Sequence, residues 1–157
     1  MSTPHPLYIY TDGAARGNPG PGGYGAILLW GNKRKEISAG YRLTTNNRME
    51  LLAVICALEA LTISNIPLTI YTDSQYLVNS VEKKWLDKWI KTDFHGGKKN
   101  KDLWLRFWKL SKEFTIRFVW VKGHAENPYN NRCDELATMA ADGKHLLIDE
   151  GYEQIRK

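Results

Sequence analysis

The sequence predicts an α/β domain on a mixed five-stranded sheet, and three observations carry that prediction. Three strand-like runs come first, joined by short turns, which makes them an antiparallel meander. A long apolar stretch at helical spacing then separates them from a fourth strand, the arrangement that allows a right-handed crossover into a parallel pairing. A fifth strand and a last helix complete the order strand-strand-strand-helix-strand-helices-strand-helix.

The elements follow in chain order. Leu7-Tyr8-Ile9-Tyr10 is β-branched and aromatic and ends at Thr11-Asp12-Gly13. Gly17-Asn18-Pro19-Gly20-Pro21-Gly22-Gly23 has the composition of a loop. Tyr24 to Trp30 is the second strand, Gly31-Asn32-Lys33 a turn, and Glu36 to Leu43 the third strand. Thr44-Thr45-Asn46-Asn47 offers helix caps before an apolar-rich helix, Met49 to Leu61. Apolar residues at 49, 52, 53, 56, 57 and 60, with Leu51, Ile55 and Leu58 besides, predict that this helix is covered on more than one side. Pro67 to Thr72 is the fourth strand; it ends at Asp73, and Ser74-Gln75 opens another helix. Asp102 to Phe114 is a helix, Thr115 to Val121 the fifth strand, Lys122 to Tyr129 a loop, and Asn130 to Ala141 the last helix, closed by Gly143. One domain over 1–157 is expected, its core over about 6–143; the tail 144–157 carries no pattern that fixes its structure.

Composition narrows the class. The chain of 157 residues is 43% apolar and 25% charged, ordinary for a globular protein. No apolar run approaches the roughly 20 residues that span a bilayer, and Met1 to Pro6 lacks the pattern of a secretory leader. A cytoplasmic protein away from membranes is the expectation, with Cys56 and Cys133 as reduced thiols rather than a disulfide or zinc site. The net charge is +5, and the segment Lys83–Lys101 holds seven lysines and two aspartates, which is the same +5. One short segment therefore carries the whole excess, as a footprint for a polyanion does, although a solvated lysine-rich helix has the same composition.

Chemistry concentrates in acids. Tyr10-Thr11-Asp12-Gly13 and Tyr71-Thr72-Asp73-Ser74 end two strands alike. If those strands are parallel neighbours, both aspartates lie at the sheet edge where open α/β folds place ligands. A lone strand-end Asp is more often a turn residue; a pair there repels unless a cation lies between. Glu50 and Asp134 are further candidates, each placed by sequence in the first turn of a helix, where an acid also suits the helix dipole. Asn47-x-x-Glu50 moreover has capping-box spacing, and Glu135 rivals Asp134. Oxygen ligands without His or Cys suit hard cations, Mg²⁺ or Mn²⁺, and an all-carboxylate set suits phosphodiester cleavage.

Five stretches together resemble one family. They are Tyr10-Thr11-Asp12-Gly13 with Gly17 to Gly23, Thr44 to Leu51, Tyr71-Thr72-Asp73-Ser74-Gln75-Tyr76, Val119-Trp120-Val121-Lys122-Gly123-His124-Ala125, and Asn131-Arg132-Cys133-Asp134-Glu135-Leu136-Ala137. In this order, and over nearly the whole chain, they resemble the type 1 ribonucleases H of bacteria.

The resemblance implies a ribonuclease H-like fold and a monomeric, two-metal enzyme that cuts the RNA strand of RNA–DNA hybrids, leaving 5′-phosphate and 3′-hydroxyl ends. It carries four metal-ligating carboxylates onto Asp12, Glu50, Asp73 and Asp134, and so prefers Asp134 to Glu135. Asp12 would bridge two ions, Asp134 would complete the site of the ion that activates water, and Glu50 and Asp73 would hold the ion at the leaving 3′-oxygen. His124, by itself an ordinary polar loop residue, is implied in proton transfer or product release. Asn18, Asn46, Asn47 and Gln75 are implied at minor-groove and 2′-hydroxyl contacts and Thr45 at a DNA phosphate, although Asn46 and Asn47 also suit helix caps. Trp85 is the candidate ring against a DNA sugar, while Trp89, Trp104 and Trp108 are expected in helix packing. Lys83, Lys84 and Lys88 are expected at DNA phosphates. The stretch Trp89-Ile90-Lys91-Thr92 departs from the family by being shorter, without a third tryptophan and further basic residues. That leaves the strength of this basic handle open. The competing expectations are a DNA-acting nuclease or recombinase of related fold and a non-catalytic hybrid-binding module.

Overall fold

The structure is a computed structural model and describes residues 6–63, 65–95, 99–122 and 127–155. Its sheet runs β3-β2-β1-β4-β5. The meander is β1 (Leu7–Ala15), β2 (Gly20–Trp30) and β3 (Lys33–Thr44); helix α1 (Asn46–Glu59) crosses over to β4 (Pro67–Thr72). Three helices follow, α2 (Gln75–Glu82), α3 (Trp85–Lys91) and α4 (Lys101–Ser111), then β5 (Thr115–Trp120), α5 (Pro128–Ala141) and α6 (Glu150–Ile155). The first three strands pair antiparallel, and β4 pairs parallel with both β1 and β5. The predicted mixed sheet is the one observed.

The core forms where the patterns predict it. Leu7 and Ile9 of β1 are buried while Tyr8 is exposed, the alternation of a strand with one covered face. Helix α1 buries Met49, Leu51 to Ile55, Ala57 and Leu58, so nearly its whole circumference is covered, by the sheet and by α4. Helix α5 lies against β1, β2 and β3 and presents small buried residues, Cys133, Ala137 and Ala141, which let it pack close. Cys56 and Cys133 are both free thiols.

Several boundaries differ from expectation. β1 runs on through Asp12 to Ala15, because β2 begins at Gly20 rather than Tyr24 and supplies partners as far as Ala15↔Gly22. Asp12 therefore stands inside a strand, not at its end. Helix α1 starts at Asn46 with Thr45 as its cap, whose hydroxyl accepts from the Arg48 N–H at 3.3 Å. Glu50 is thus in the second turn and belongs to no capping box. Helix α5 starts at Pro128, capped by the Asn127 side chain, which also moves Asp134 into a second turn. The tail is structured: Leu147 bridges Tyr41 of β3, and α6 follows.

Candidate metal centre

Strand register builds the first half of the site. Tyr10 pairs with Tyr71 across the parallel β1–β4 ladder, so Asp12 and Asp73 each stand two residues past the same rung. Helix α1 brings the third acid. Gly13 lies directly against its start: a methyl group at Gly13 would overlap Met49 and the backbone nitrogen of Glu50. Only a residue without a side chain permits that approach, and it sets Glu50 beside Asp12. Carboxylate oxygens of Asp12, Glu50 and Asp73 all lie within 4.8 Å of one another.

Two of these acids, Asp12 and Glu50, are deeply placed and poorly satisfied among the described residues. Asp12 is buried and accepts one hydrogen bond from the Gly13 N–H at 2.9 Å. Glu50 Oε2 is buried with no hydrogen-bond partner. Burial, then the charge of Asp73, pushes the Asp12 carboxyl up to about 7, and Asp134 adds to the rise. Glu50 is raised as well, by burial first and then by the charges of Asp12 and Asp73. An uncompensated buried carboxylate is costly. With Asp73 beside them, the cluster offers oxygen donors alone and fits a hard divalent cation, which would give the unpartnered Glu50 oxygen a ligand contact and offset the mutual repulsion.

Asp134 is placed apart from the other three. It is exposed on α5 and does not share the 4.8 Å cluster, yet its charge acts on Asp12, so it stands at the rim of the same site. His124 lies outside the described residues.

The amides split into two kinds. Asn18 Oδ1 accepts from the Asn46 N–H at 3.1 Å, and Asn46 Oδ1 accepts from the Ala15 N–H at 2.6 Å. These bonds stitch the 16–19 loop and the end of β1 to the start of α1, and they leave the two NH₂ groups as the available donors. Asn47 and Gln75 are exposed in the first turns of α1 and α2.

In the basic segment Lys83, Lys84 and Lys88 are exposed, and Lys101 is paired with Asp93 at 2.7 Å. Trp104 is fully buried and donates its indole N–H to the Tyr76 hydroxyl at 2.7 Å. Trp89 packs edge-on against it. Trp85 instead stays 41% exposed, with Lys83 Nζ 5.6 Å from its ring centroid. It lines an open groove of about 400 Å³ with Lys88, Trp89, Thr92 and His95.

Comparison with known proteins settles the family. A ribonuclease H family profile matches residues 4–142. The chain belongs to the ribonuclease H family. It is therefore a nuclease of the hydrolase class, with an acidic cluster suited to the metal dependence of that family. It is 53% identical to a ribonuclease H of Syntrophus aciditrophicus over 93% of this chain and 86% of that one. It is 46% identical to a ribonuclease HI of Synechocystis over 96% of this chain and 97% of that one. Among solved structures, LC9-RNase H1, described as a type 1 enzyme with the type 2 active-site motif, superposes with a TM-score of 0.80 at 28% identity, covering 99% of this chain and 82% of that one. LC11-RNase H1, solved in complex with an RNA/DNA hybrid, superposes with a TM-score of 0.68 at 28% identity, over 87% of this chain and 96% of its own. No helix among the described residues is long and apolar enough to cross a membrane.

Sequence reading missed one constellation near this site. Arg48, two residues before Glu50, is fully buried and held by Asp149 and Asp102. A charge inside the apolar run of α1 was the available signal, since buried arginine demands a partner; nothing in the sequence identified which one.

Proposed function

We propose that this chain, as one ribonuclease H domain, hydrolyses the RNA strand of RNA–DNA hybrids at a centre formed by Asp12, Glu50, Asp73 and Asp134. The carrying observation is the convergence of three acids from three separate elements, with one buried oxygen of Glu50 left unpartnered. Magnesium ions, or manganese in their place, would supply water activation and stabilise the leaving 3′-oxygen, giving 5′-phosphate and 3′-hydroxyl products. Asp12, Glu50 and Asp73 would hold cations from the protein side, and Asp134 would serve from the rim. His124 would carry a proton or help the product leave.

Recognition falls to neutral and cationic groups around the acids. The free NH₂ groups of Asn18 and Asn46 suit minor-groove acceptors, and Asn47 and Gln75 suit the 2′-hydroxyls that mark the RNA strand. Thr45 sits at the α1 N-terminus, where a DNA phosphate is favoured. Trp85 would pack on a DNA sugar while Lys83, Lys84 and Lys88 neutralise phosphates, which gives affinity without sequence preference. The likeness of the LC11 enzyme, solved on a hybrid, supports this substrate. Two free thiols suit a reducing cytoplasm, and the resemblance implies a monomer, so a cytoplasmic monomer is our reading.

The test compares cleavage of a hybrid, a DNA duplex and an RNA duplex, with and without millimolar Mg²⁺. RNA-strand cleavage confined to the hybrid and dependent on Mg²⁺ is the expected outcome. Preferred cleavage of duplex DNA would replace this reading with a DNA-acting nuclease. Hybrid binding without cleavage would replace it with a binding module.

A further inference from the structure

We infer that the C-terminal segment positions Glu50: Asp149, acting through the buried Arg48, fixes the first turns of α1 so that the Glu50 carboxylate stays in the cluster. The inference rests on the reading of Glu50 as a metal ligand.

The geometry is specific. Arg48 Nε and Nη2 donate to Asp149 at 2.7 and 2.8 Å, and Nη1 and Nη2 donate to Asp102 at 2.8 and 2.7 Å. Asp149 is itself buried, and its Oδ2 also accepts from the Thr44 hydroxyl at 2.7 Å. One tail carboxylate thus ties the last residue of β3 to the first turn of α1. Gly151 lies directly against this network: a methyl group there would meet Asp102 Oδ2 and Arg48 Nη2. Outer ties to β3 hold the tail in place: the Leu147 N–H donates to the Gly40 carbonyl at 2.8 Å, the Arg42 N–H donates to the Leu147 carbonyl at 2.9 Å, and Arg42 pairs with Glu153 at 2.8 Å.

Arg48 and Glu50 are two residues apart, roughly 200° around the helix. They leave α1 on opposite sides. Gly13 abuts the Glu50 backbone on one side, and Asp149 pulls on the other through Arg48. The second turn of α1 is therefore held between β1 and the tail. Ligand oxygens must be placed to a few tenths of an ångström for a small hard cation, and groups that orient ligands without touching the ion typically change its affinity 10- to 100-fold. Asp149 and Arg48 are positioning residues in this sense.

The test uses the full chain without nucleic acid and reads Mg²⁺ affinity, from the rise in Tm with Mg²⁺ and from calorimetric titration. Asp149→Asn is expected to weaken Mg²⁺ binding about tenfold, with near-normal cleavage of the hybrid when Mg²⁺ is raised to saturation. Arg42→Ala, which loosens only the outer end of the tail, should leave Mg²⁺ affinity unchanged. Should Asp149→Asn not fold, Thr44→Val removes one hold on Asp149 while keeping the shape of the side chain, and a smaller loss of affinity is expected. A lower Tm with Mg²⁺ affinity within twofold of the parent, in whichever of these variants folds, overturns the inference. Glu50→Gln separates the two ideas. If it binds Mg²⁺ as the parent does, the assignment of Glu50 fails; if it loses Mg²⁺ while Asp149→Asn keeps it, only the positioning role fails.

Discussion

Two groups of acids flank the start of α1, and they are treated in opposite ways. Asp102 and Asp149 meet a buried guanidinium, five donors in a planar fork. Burial alone would raise Asp102, but hydrogen bonds and charge from Arg48 outweigh it and hold the carboxyl below its ordinary value. Burial likewise disfavours the Arg48 cation, and the same two carboxylates reverse that and keep it charged. Asp12, Glu50 and Asp73 meet one another instead, and burial and repulsion drive Asp12 and Glu50 upward. The first group is complete in the folded chain. The second keeps a buried Glu50 oxygen without a hydrogen-bond partner, which is the opening that the proposed cations would fill.

The comparison breaks most sharply at Asp12. Asp12→Asn should lower hybrid cleavage by roughly 10³-fold or more, about 4 kcal/mol of transition-state stabilisation. It should nevertheless raise the Tm of the metal-free protein, since it removes a repelling charge. Retained cleavage, or a metal-free Tm below that of the parent, would show that the acids are not in opposition. Next in size is Arg48→Met, which strands Asp149 without its cation. A loss of about 3 kcal/mol, or roughly 10 °C in Tm, is expected in thermal melts. A Tm within a few degrees of the parent would mean the network is dispensable.

A pH series sharpens the same contrast. Burial and the charge of Asp73 push the Asp12 carboxyl up from 3.8 to about 7, so its contribution to metal-free stability is fully present below 3.8 and is lost as pH rises toward 7. Asp102 has the opposite sign: its contribution is present above its ordinary value and is lost as pH falls through its lowered folded one. The metal-free parent should therefore lose a component of stability between pH 4 and 7 that Asp12→Asn lacks, and saturating Mg²⁺ should abolish that loss. Superimposable melting profiles for parent and variant across this range would contradict it. The smallest effect belongs to the basic segment: Lys83→Ala, Lys84→Ala and Lys88→Ala together should flatten the salt dependence of hybrid binding by about one in slope per lysine that meets a phosphate. Turnover at saturating hybrid should survive, and an unchanged slope would make these lysines ordinary surface charge.

Legibility in the sequence followed the reach of each interaction. The strands and α1 were readable because alternation and helical spacing are local, and the paired Tyr-Thr-Asp motifs announced two acids at one rung. The start of α5 was misread even though Asn127-Pro128 is a cap followed by a proline at the first helical position, a signal present in the chain. Glu50 stood out as an acid in an apolar helix and took its role from the resemblance; its spacing from Asn47 pointed toward a capping box that does not form. The tail stayed unread because α6 is short and is held by charges from β3 and α1, and pairing between distant residues leaves no periodic trace.

The parallel rung between Tyr10 and Tyr71 carries a last consequence. The two aspartates belong to strands that become neighbours only after the whole α1 crossover has closed. A full-length chain trapped half-folded owns every acid and yet does not bring them together. The place where those acids converge is thus a property of the finished scaffold and of no single segment.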